Sequence, residues 1–181
     1  MAHYRDSISD YKNFQLGDFE LQCGKKLPNA QIAYKTLGSL NADKSNVIIL
    51  NHPVGGTHEN AEAIHLDGEN RAISPKKHFI IMPNMFGNGL SSSPSNASAS
   101  FAGSSFPSVT IFDSIRAQYE LVTEVFGISE VKLVIGFSMG GLQAHYRDSV
   151  SDYKIFNWET LNFNVERSFL MLKSPTKLLA V

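Results

Sequence analysis

Residues 131–143 read Val-Lys-Leu-Val-Ile-Gly-Phe-Ser-Met-Gly-Gly-Leu-Gln. The apolar run Leu133–Ile135 predicts a buried strand, and residues 136–140 follow it with the spacing Gly-x-Ser-x-Gly around Ser138. This spacing is typical of a nucleophile elbow, in which a strand turns sharply into a helix and presents the serine hydroxyl above the sheet. Side chains two residues before and after the serine would crowd that turn, which explains the glycine at both positions. A five-residue pattern with three fixed positions also occurs by chance. The prediction of an elbow therefore depends on the strand before the pattern and the helical spacing after it.

The elbow needs main-chain donors for an oxyanion. The amide of Met139 is expected at the start of the helix, pointing at an oxyanion held near Ser138. A second donor usually comes from the loop after an earlier central strand. The apolar run 46–51 predicts such a strand, and His-Pro-Val-Gly-Gly follows it. Proline has no N–H, so the amide of Val54 is the better candidate, and a plain strand-to-helix turn is the alternative interpretation.

The composition, charge and cysteine count of the chain exclude several classes of protein. The chain has 181 residues with 43% hydrophobic and 18% charged residues, which predicts one folded domain rather than a disordered chain. The net charge of -1 implies no nucleic-acid or anionic-membrane partner. No apolar run approaches the roughly 20 residues of a membrane span, and the polar N-terminus lacks a signal-peptide core, so a cytoplasmic location is expected. Cys23 is the single cysteine and the histidines lack metal-ligand spacing, so we expect no disulfide, metal site or bound cofactor.

The remaining patterns predict an α/β architecture. Alternating residues at 19–24 and 31–37 predict an N-terminal antiparallel hairpin with a turn at 24–29. Continuous apolar runs at 46–51 and 78–83 are typical of strands covered on both faces. Helical spacing over 110–126, with Asp113 in the first turn and Gly127 after the last, predicts an amphipathic helix. This order predicts a mostly parallel sheet with crossover helices, and the Ser-rich loop 84–107 either lines a substrate pocket or covers surface.

The chain changes character after Ala144. Residues 145–156 repeat residues 3–14 at ten of twelve positions, with differences only at Ile8 against Val150 and Asn13 against Ile155. Chance does not give such a match, and the copies are too short and too distant for a repeat array. We therefore divide the chain into a core at 1–144 and an atypical tail at 145–181, which holds one candidate helix at 158–172.

Three stretches make the chain resemble the homoserine O-acetyltransferase family of the α/β-hydrolase superfamily, and they are Gly87–Asn96, Asp113–Gln118 and Gly136–Gln143. The resemblance implies the N-terminal part of an α/β-hydrolase fold, with Ser138 as the nucleophile and the amides of Met139 and Val54 as oxyanion donors. It also implies a small acyl donor, with acetyl-CoA as one candidate, and a small acyl acceptor. The family carries His-Ala-Leu-Thr-Gly where this chain has His-Pro-Val-Gly-Gly, so the acceptor stays open between homoserine, another alcohol and water.

The resemblance also implies a lid, an acid and a histidine after the nucleophile. The 43 residues after Ser138 contain one histidine, His145, which lies about 10 Å along the expected helix and away from the hydroxyl. His52 and His58 flank the oxyanion loop, where a histidine more often orients the loop than acts as a base. The carboxylates of the tail are better interpreted as solvated charges, and they are Asp148, Asp152, Glu159 and Glu166.

Two functions therefore stay open. The first is a serine acyltransferase or hydrolase that works through Ser138. The second is a catalytically inactive, truncated or rearranged copy that lacks the triad acid and histidine. If the strands that normally follow the elbow are missing, the strand at 132–137 becomes a bare apolar edge, which would favour aggregation or pairing with another chain, as in a homo-oligomer.

Overall fold

The computed structural model describes residues 10–66, 72–147 and 170–173. They form six strands and three α-helices. In chain order these are β1 (Lys12–Glu20), β2 (Lys26–Leu37), β3 (Val47–Asn51), α1 (His58–Leu66), β4 (Phe79–Pro83), α2 (Ile111–Glu120), β5 (Leu133–Phe137), α3 (Met139–Tyr146) and β6 (Leu170–Lys173). Short 3-10 turns lie at Ala99–Phe101 and Gly103–Ser105, and one π-helical turn at Leu121–Val125.

The strands form one sheet in the order β1-β2-β4-β3-β5-β6. The three central strands pair in parallel, β4 with β3 and β3 with β5. The pairs β1–β2, β2–β4 and β5–β6 are antiparallel. The predicted N-terminal hairpin is therefore confirmed, with its connection at 21–25 rather than 24–29. The outer strand β1 is irregular, because its register with β2 shifts on both sides of Gly17.

Both faces of the central strands are covered, which explains why their sequences are continuously apolar. Val47 and Ile49 of β3 belong to the larger core cluster, together with Ala117 of α2 and Ala144 of α3. The alternate residues of β3 belong to a second cluster on the other face, with Ala61 of α1. The sheet is thus sandwiched between helices, as expected for an α/β fold.

Helix α2 is fixed at both ends. Thr110 and Asp113 form a capping box, and Asp113 Oδ1 also accepts a hydrogen bond from the backbone N–H of Gln22 at 2.7 Å. The buried Asp113 carboxylate thereby joins the start of α2 to the β1–β2 connection. At the other end the chain passes through the π-helical turn to Gly127, whose φ of 58° ends the helix as predicted. Lys44 Nζ donates to the carbonyl of Gly127 at 2.7 Å.

The Ser-rich loop after β4 completes the hydrogen bonding of β2. Residues 34–37 of β2 pair with β4, but the strand extends beyond the end of β4. There the backbone N–H of Ala33 donates to Ser91 Oγ, and that of Gln31 donates to Ser92 Oγ, both at 2.9 Å. The serine hydroxyls replace the carbonyls of a neighbouring strand, and Ser91–Ser93 are buried. This part of the loop belongs to the fold, which the sequence did not distinguish from surface.

The prediction of a bare edge at 132–137 is wrong. β6 pairs antiparallel with β5, from Phe137 opposite Leu170 to Val134 opposite Lys173. The candidate helix at 158–172 is also wrong at its end, because residues 170–173 are extended. Its earlier part, and the tail copy from residue 148 to 156, lie outside the described residues. The boundary after Ala144 falls within α3, and the division of the chain stays a prediction.

Among the described residues, no helix combines the length and the apolar character that crossing a bilayer requires.

Replacing Ser91 by alanine tests the role of the Ser-rich loop. Ser91 is buried, accepts from the Ala33 amide and donates to the carbonyl of Asn84 at 2.7 Å. Ser91→Ala leaves two buried main-chain groups without partners, so the free energy of unfolding should fall by about 1–3 kcal/mol. Urea denaturation measures the change. Ser95→Ala, at an exposed position of the same loop, should stay within about 0.5 kcal/mol of the parent. Equal losses in both variants would contradict the assigned role.

Candidate active site

Ser138 lies at the sharp junction between β5 and α3. Its backbone adopts φ 55° and ψ −121°, a combination that residues other than glycine rarely adopt. Ser138 is the N-cap of α3, yet its side chain makes no capping hydrogen bond. In the described part of the chain its hydroxyl has no hydrogen-bond partner, and the residue is exposed. The Ser138 hydroxyl is therefore exposed at the edge of the sheet and makes no hydrogen bond within the described residues.

The glycines on either side allow this bend. A Cβ on Gly136 would overlap the carbonyl of Gly140, the second residue of α3. A Cβ on Gly140 would lie 2.5 Å from the carbonyl oxygen of Asn51 and 2.7 Å from that of His52. Both distances are far inside van der Waals contact, so α3 can begin this close to β5 and β3 only with glycine at 136 and 140. The steric explanation of the Gly-x-Ser-x-Gly spacing is confirmed.

The loop after β3 leaves the sheet beside this junction. Asn51 at the end of β3 is in register with Gly136 of β5, so the two connections begin side by side. The loop is a type II turn, because Gly56 N–H donates to the Pro53 carbonyl at 3.0 Å and Gly55 has φ 74°. Among the described residues the Val54 amide has no acceptor, and the residue is 65% exposed.

Met139 is the first residue of α3. The first intrahelical hydrogen bond after the elbow runs from Leu142 N–H to the Ser138 carbonyl at 3.2 Å, so the amide of Met139 has no intrahelical acceptor. The structure thus brings Ser138, Met139 and the Val54 loop to one edge of the sheet, as the sequence predicted.

His52 anchors the Val54 loop. Its ring is buried, and its Nε2 accepts a hydrogen bond from the Met85 amide at 3.0 Å. Nδ1 therefore carries the proton and donates to the carbonyl of Pro53 at 2.8 Å. Both ring nitrogens bind main-chain atoms, so this histidine connects the end of β3 to the end of β4. These are the contacts of an orienting residue, as the sequence analysis favoured, and not of a base for Ser138.

His58 lies in a second buried network. Its Nδ1 accepts from the side-chain amide of Asn84 at 3.1 Å, while Asn84 Oδ1 accepts from the His58 main-chain N–H at 3.1 Å. Asn88 adds a bond to Asn84 Oδ1 at 2.9 Å. Burial lowers the pKa of His58, so the neutral ring is favoured. His58 is therefore a core residue below the candidate site.

The two asparagines are the residues that sequence reasoning missed. Asn84 and Asn88 are buried, and together they hold the start of α1 and the loop after β4 against β2. The stretch Pro-Asn-Met-Phe-Gly-Asn-Gly contains them directly after a buried strand, which is the available signal. Asn in such a stretch is usually a turn residue, so the pattern alone favours a surface position.

Two further histidines, His145 and His78, are described. His145 is on α3, seven residues after the serine, and its ring contacts Tyr146. His78 is half-buried before β4, at the opposite end of that strand from the loop. Across residues 10–66 and 72–147, no group of three or more His, Cys, Asp or Glu side chains is arranged to hold a metal ion.

The lowered pKa of His58 predicts a pH-dependent stability. Between the folded pKa and the ordinary value near 6.5, the unfolded chain binds more protons than the folded chain. The free energy of unfolding should therefore fall as the pH drops from about 7.5 through the folded pKa. His58→Asn keeps an acceptor for Asn84 but does not titrate, so urea midpoints measured from pH 7.5 to 5 should decline less steeply than in the parent.

The comparison variant for that experiment is His78→Asn. Burial also lowers the pKa of His78, with smaller contributions from Lys132 and Lys77. His78 therefore also lowers the free energy of unfolding as the pH falls. Each variant should remove part of the pH dependence of the urea midpoint. A slope that is unchanged in His58→Asn would contradict the assignment of a neutral, buried His58.

Comparison with known proteins agrees with this geometry. Residues 46–146 match the model of the α/β-hydrolase fold family. The chain is 43% identical over 135 residues to an ethyl acetate hydrolase from Pseudomonas veronii, covering 75% of this chain and 38% of that protein. It is 41% identical over 146 residues to a homoserine O-acetyltransferase from Chlorobaculum parvum, covering 76% and 39%. The acetyl esterase MekB superposes with a TM-score of 0.78 at 37% identity, covering 85% of this chain and 44% of that one.

The chain thus spans about two fifths of the length of these curated relatives. The match includes the elbow, the loop after β3 and the strands that carry them, and the expected similarity to homoserine O-acetyltransferases is confirmed. With the family model matching more than half of its residues, this chain belongs to the α/β-hydrolase fold family.

Proposed function

We propose that this chain carries the nucleophile and the oxyanion donors of a serine-dependent acyltransferase or hydrolase. The observation that carries the proposal is the backbone of Ser138, which is held at φ 55° and ψ −121° with an exposed hydroxyl. Strain of this kind persists only where the surrounding structure enforces it, and it is concentrated at functional sites.

The proposed reaction has two steps. Ser138 Oγ attacks the carbonyl carbon of an ester or thioester and forms an acyl-serine, while the bond to the leaving group breaks and the hydroxyl proton passes to that group. An alcohol or water then attacks the acyl-serine, which returns the proton to Ser138 Oγ. The amides of Met139 and Val54 stabilise the negative oxygen in both steps.

The names of the relatives suggest the acyl group. An ethyl acetate hydrolase and a homoserine O-acetyltransferase have the acetyl group in common and differ in the acceptor, water in the first and homoserine in the second. We therefore propose a short acyl group, with acetyl esters or acetyl-CoA as donors.

One observation favours a second candidate, a chain that does not turn over substrate. Among the described residues no side chain hydrogen-bonds to Ser138 Oγ, and His52 and His58 are both held in other networks. A serine without a base keeps only the part of the catalysis that comes from the oxyanion donors and binding, roughly 10³–10⁴ over water.

A fluorophosphonate probe tests the proposed nucleophile. The intact chain should be labelled at one residue, which peptide mass spectrometry should identify as Ser138. Ser138→Ala should abolish labelling, while Ser95→Ala, at an exposed serine on a loop, should not change it. Labelling that survives in Ser138→Ala, or an intact chain that stays unlabelled, would contradict the proposal and leave the inactive chain as the better description.

Val54→Pro tests the second oxyanion donor. Proline removes the N–H, and it is favoured at this position of a type II turn, so the loop should keep its shape. The rate of Ser138-dependent p-nitrophenyl acetate hydrolysis, taken as the difference from Ser138→Ala, should fall about 10²–10³-fold. Val54→Ala keeps the N–H and should stay within about twofold of the parent. Equal rates in the two variants at 54 would show that the amide is not a donor.

A further inference from the structure

The start of β1 occupies a site on β2 that a second segment of the chain matches. Residues 10–14 read Asp-Tyr-Lys-Asn-Phe, and residues 152–156 read Asp-Tyr-Lys-Ile-Phe. The proposed catalytic function makes no use of this repetition. The contacts of the first segment show which of its features binding requires.

Residues 10–14 contact β2 through the main chain and three side chains. Lys12, Asn13 and Phe14 pair in register with Tyr34, Ala33 and Ile32. These three pairs form the main-chain part of the site.

The side chains of the segment face both sides of the sheet. Asp10 Oδ2 lies 3.2 Å from Lys35 Nζ, in an ion pair. Tyr11 packs on Ala33 and Leu90, and its ring lies 5.9 Å from that of His58. Phe14 packs against the larger core cluster on the other face. The site on β2 therefore contacts an acidic residue, a tyrosine and a phenylalanine at positions 1, 2 and 5, and Lys35 also pairs with Glu62 at 2.9 Å.

The second segment keeps each of these side chains. Asp152, Tyr153 and Phe156 correspond to Asp10, Tyr11 and Phe14. The one difference places Ile155 at the position of Asn13, which is exposed. Isoleucine also has the higher strand propensity. The repeat thus preserves the binding residues and changes a solvent-facing one.

We propose that residues 152–156 of one molecule dock on β2 of a second copy of this chain, in place of its residues 10–14. The product is a strand-exchanged dimer in which a copied segment forms the contacts of the original. The site consists of Ile32–Lys35 of β2, together with Leu90 and His58.

Residues 152–156 are poorly placed to dock on β2 of their own chain. The last described residue before the segment, Arg147, donates to Gln118 of α2 at 3.1 Å, and α3 packs on β5, β6 and β3. β1 lies four strand positions from β5, or about 19 Å at about 4.8 Å a step. The seven residues from Arg147 to Lys154 span at most about 25 Å. That path would have to cross the face covered by α2, whereas a second molecule meets no such limit.

Concentration decides how much of the dimer forms. Both segments make the same side-chain contacts, but residues 10–14 are joined directly to the rest of β1, which gives them a local concentration in the millimolar range. Exchange should therefore be a minor species in dilute solution and increase with protein concentration. A disulfide bond between the two chains can trap the exchanged dimer and let it accumulate.

Disulfide trapping between two single-cysteine chains tests the proposal. Both chains carry Cys23→Ser; one adds Ala33→Cys and a size tag, and the other adds Ile155→Cys. Asn13 and Ala33 are opposed in the antiparallel register, so Cα atoms at 33 and 155 would lie about 4.5–5.5 Å apart, within disulfide range. We expect a tagged–untagged heterodimer on non-reducing gels, with a 33–155 cross-link in its peptide map. One chain with Asn13→Cys and Ala33→Cys should form the disulfide internally, which shows that position 33 tolerates cysteine.

The matched control adds Tyr153→Ser and Phe156→Ser to the Ile155→Cys chain, and it should lose the heterodimer. A heterodimer that persists in this control, or an absent 33–155 cross-link, overturns the proposal. Sedimentation velocity of chains with the natural cysteine gives a second readout. The dimer fraction of the parent should rise with concentration, while Tyr153→Ser/Phe156→Ser should remain monomeric. Equal dimer fractions in the two chains also overturn it.

Discussion

The contact between main chains at the elbow determines the rest of the site. The first turn of α3 rests on the carbonyl oxygens of Asn51 and His52, and no side chain separates the two backbones. This contact fixes the position of β5 relative to β3, the direction of α3 and the starting point of the Val54 loop. It requires glycine at 136 and 140, and it holds Ser138 in a backbone conformation that residues other than glycine otherwise avoid.

A second layer of polar contacts keeps this edge of the sheet rigid. His52, Asn84 and Asn88 connect the ends of β3 and β4, and the hydroxyls of Ser91 and Ser92 continue the hydrogen-bond ladder of β2. Buried networks of this kind stabilise a single arrangement only if their members are paired. The loop that carries Val54 is thus held from below by side chains that take no part in the proposed chemistry. A main-chain donor can be placed reliably only on such a support.

The sequence predicted those features that depend on local sterics and periodicity. The buried strands, the helix from residue 110 with its Gly127 stop, and the elbow around Ser138 all follow from spacing along the chain. The pairing of β6 with β5 was missed because it joins segments more than 30 residues apart, and no local pattern in residues 170–173 indicates a partner. The serines at 91–93 were ambiguous because a hydroxyl that replaces a strand carbonyl has the same sequence signature as one in solvent. His52 was placed correctly as an orienting residue, because both of its ring nitrogens bind main-chain atoms.

The irregular register of β1 has a consequence for the outer border of the sheet. Shifts on both sides of Gly17, with its φ of 66°, break the even spacing of donors and acceptors along the outward side of this strand. A foreign strand could match the outward groups over only a few residues before losing alignment. This edge of the sheet is thereby protected from the open-ended stacking that leads to fibrils.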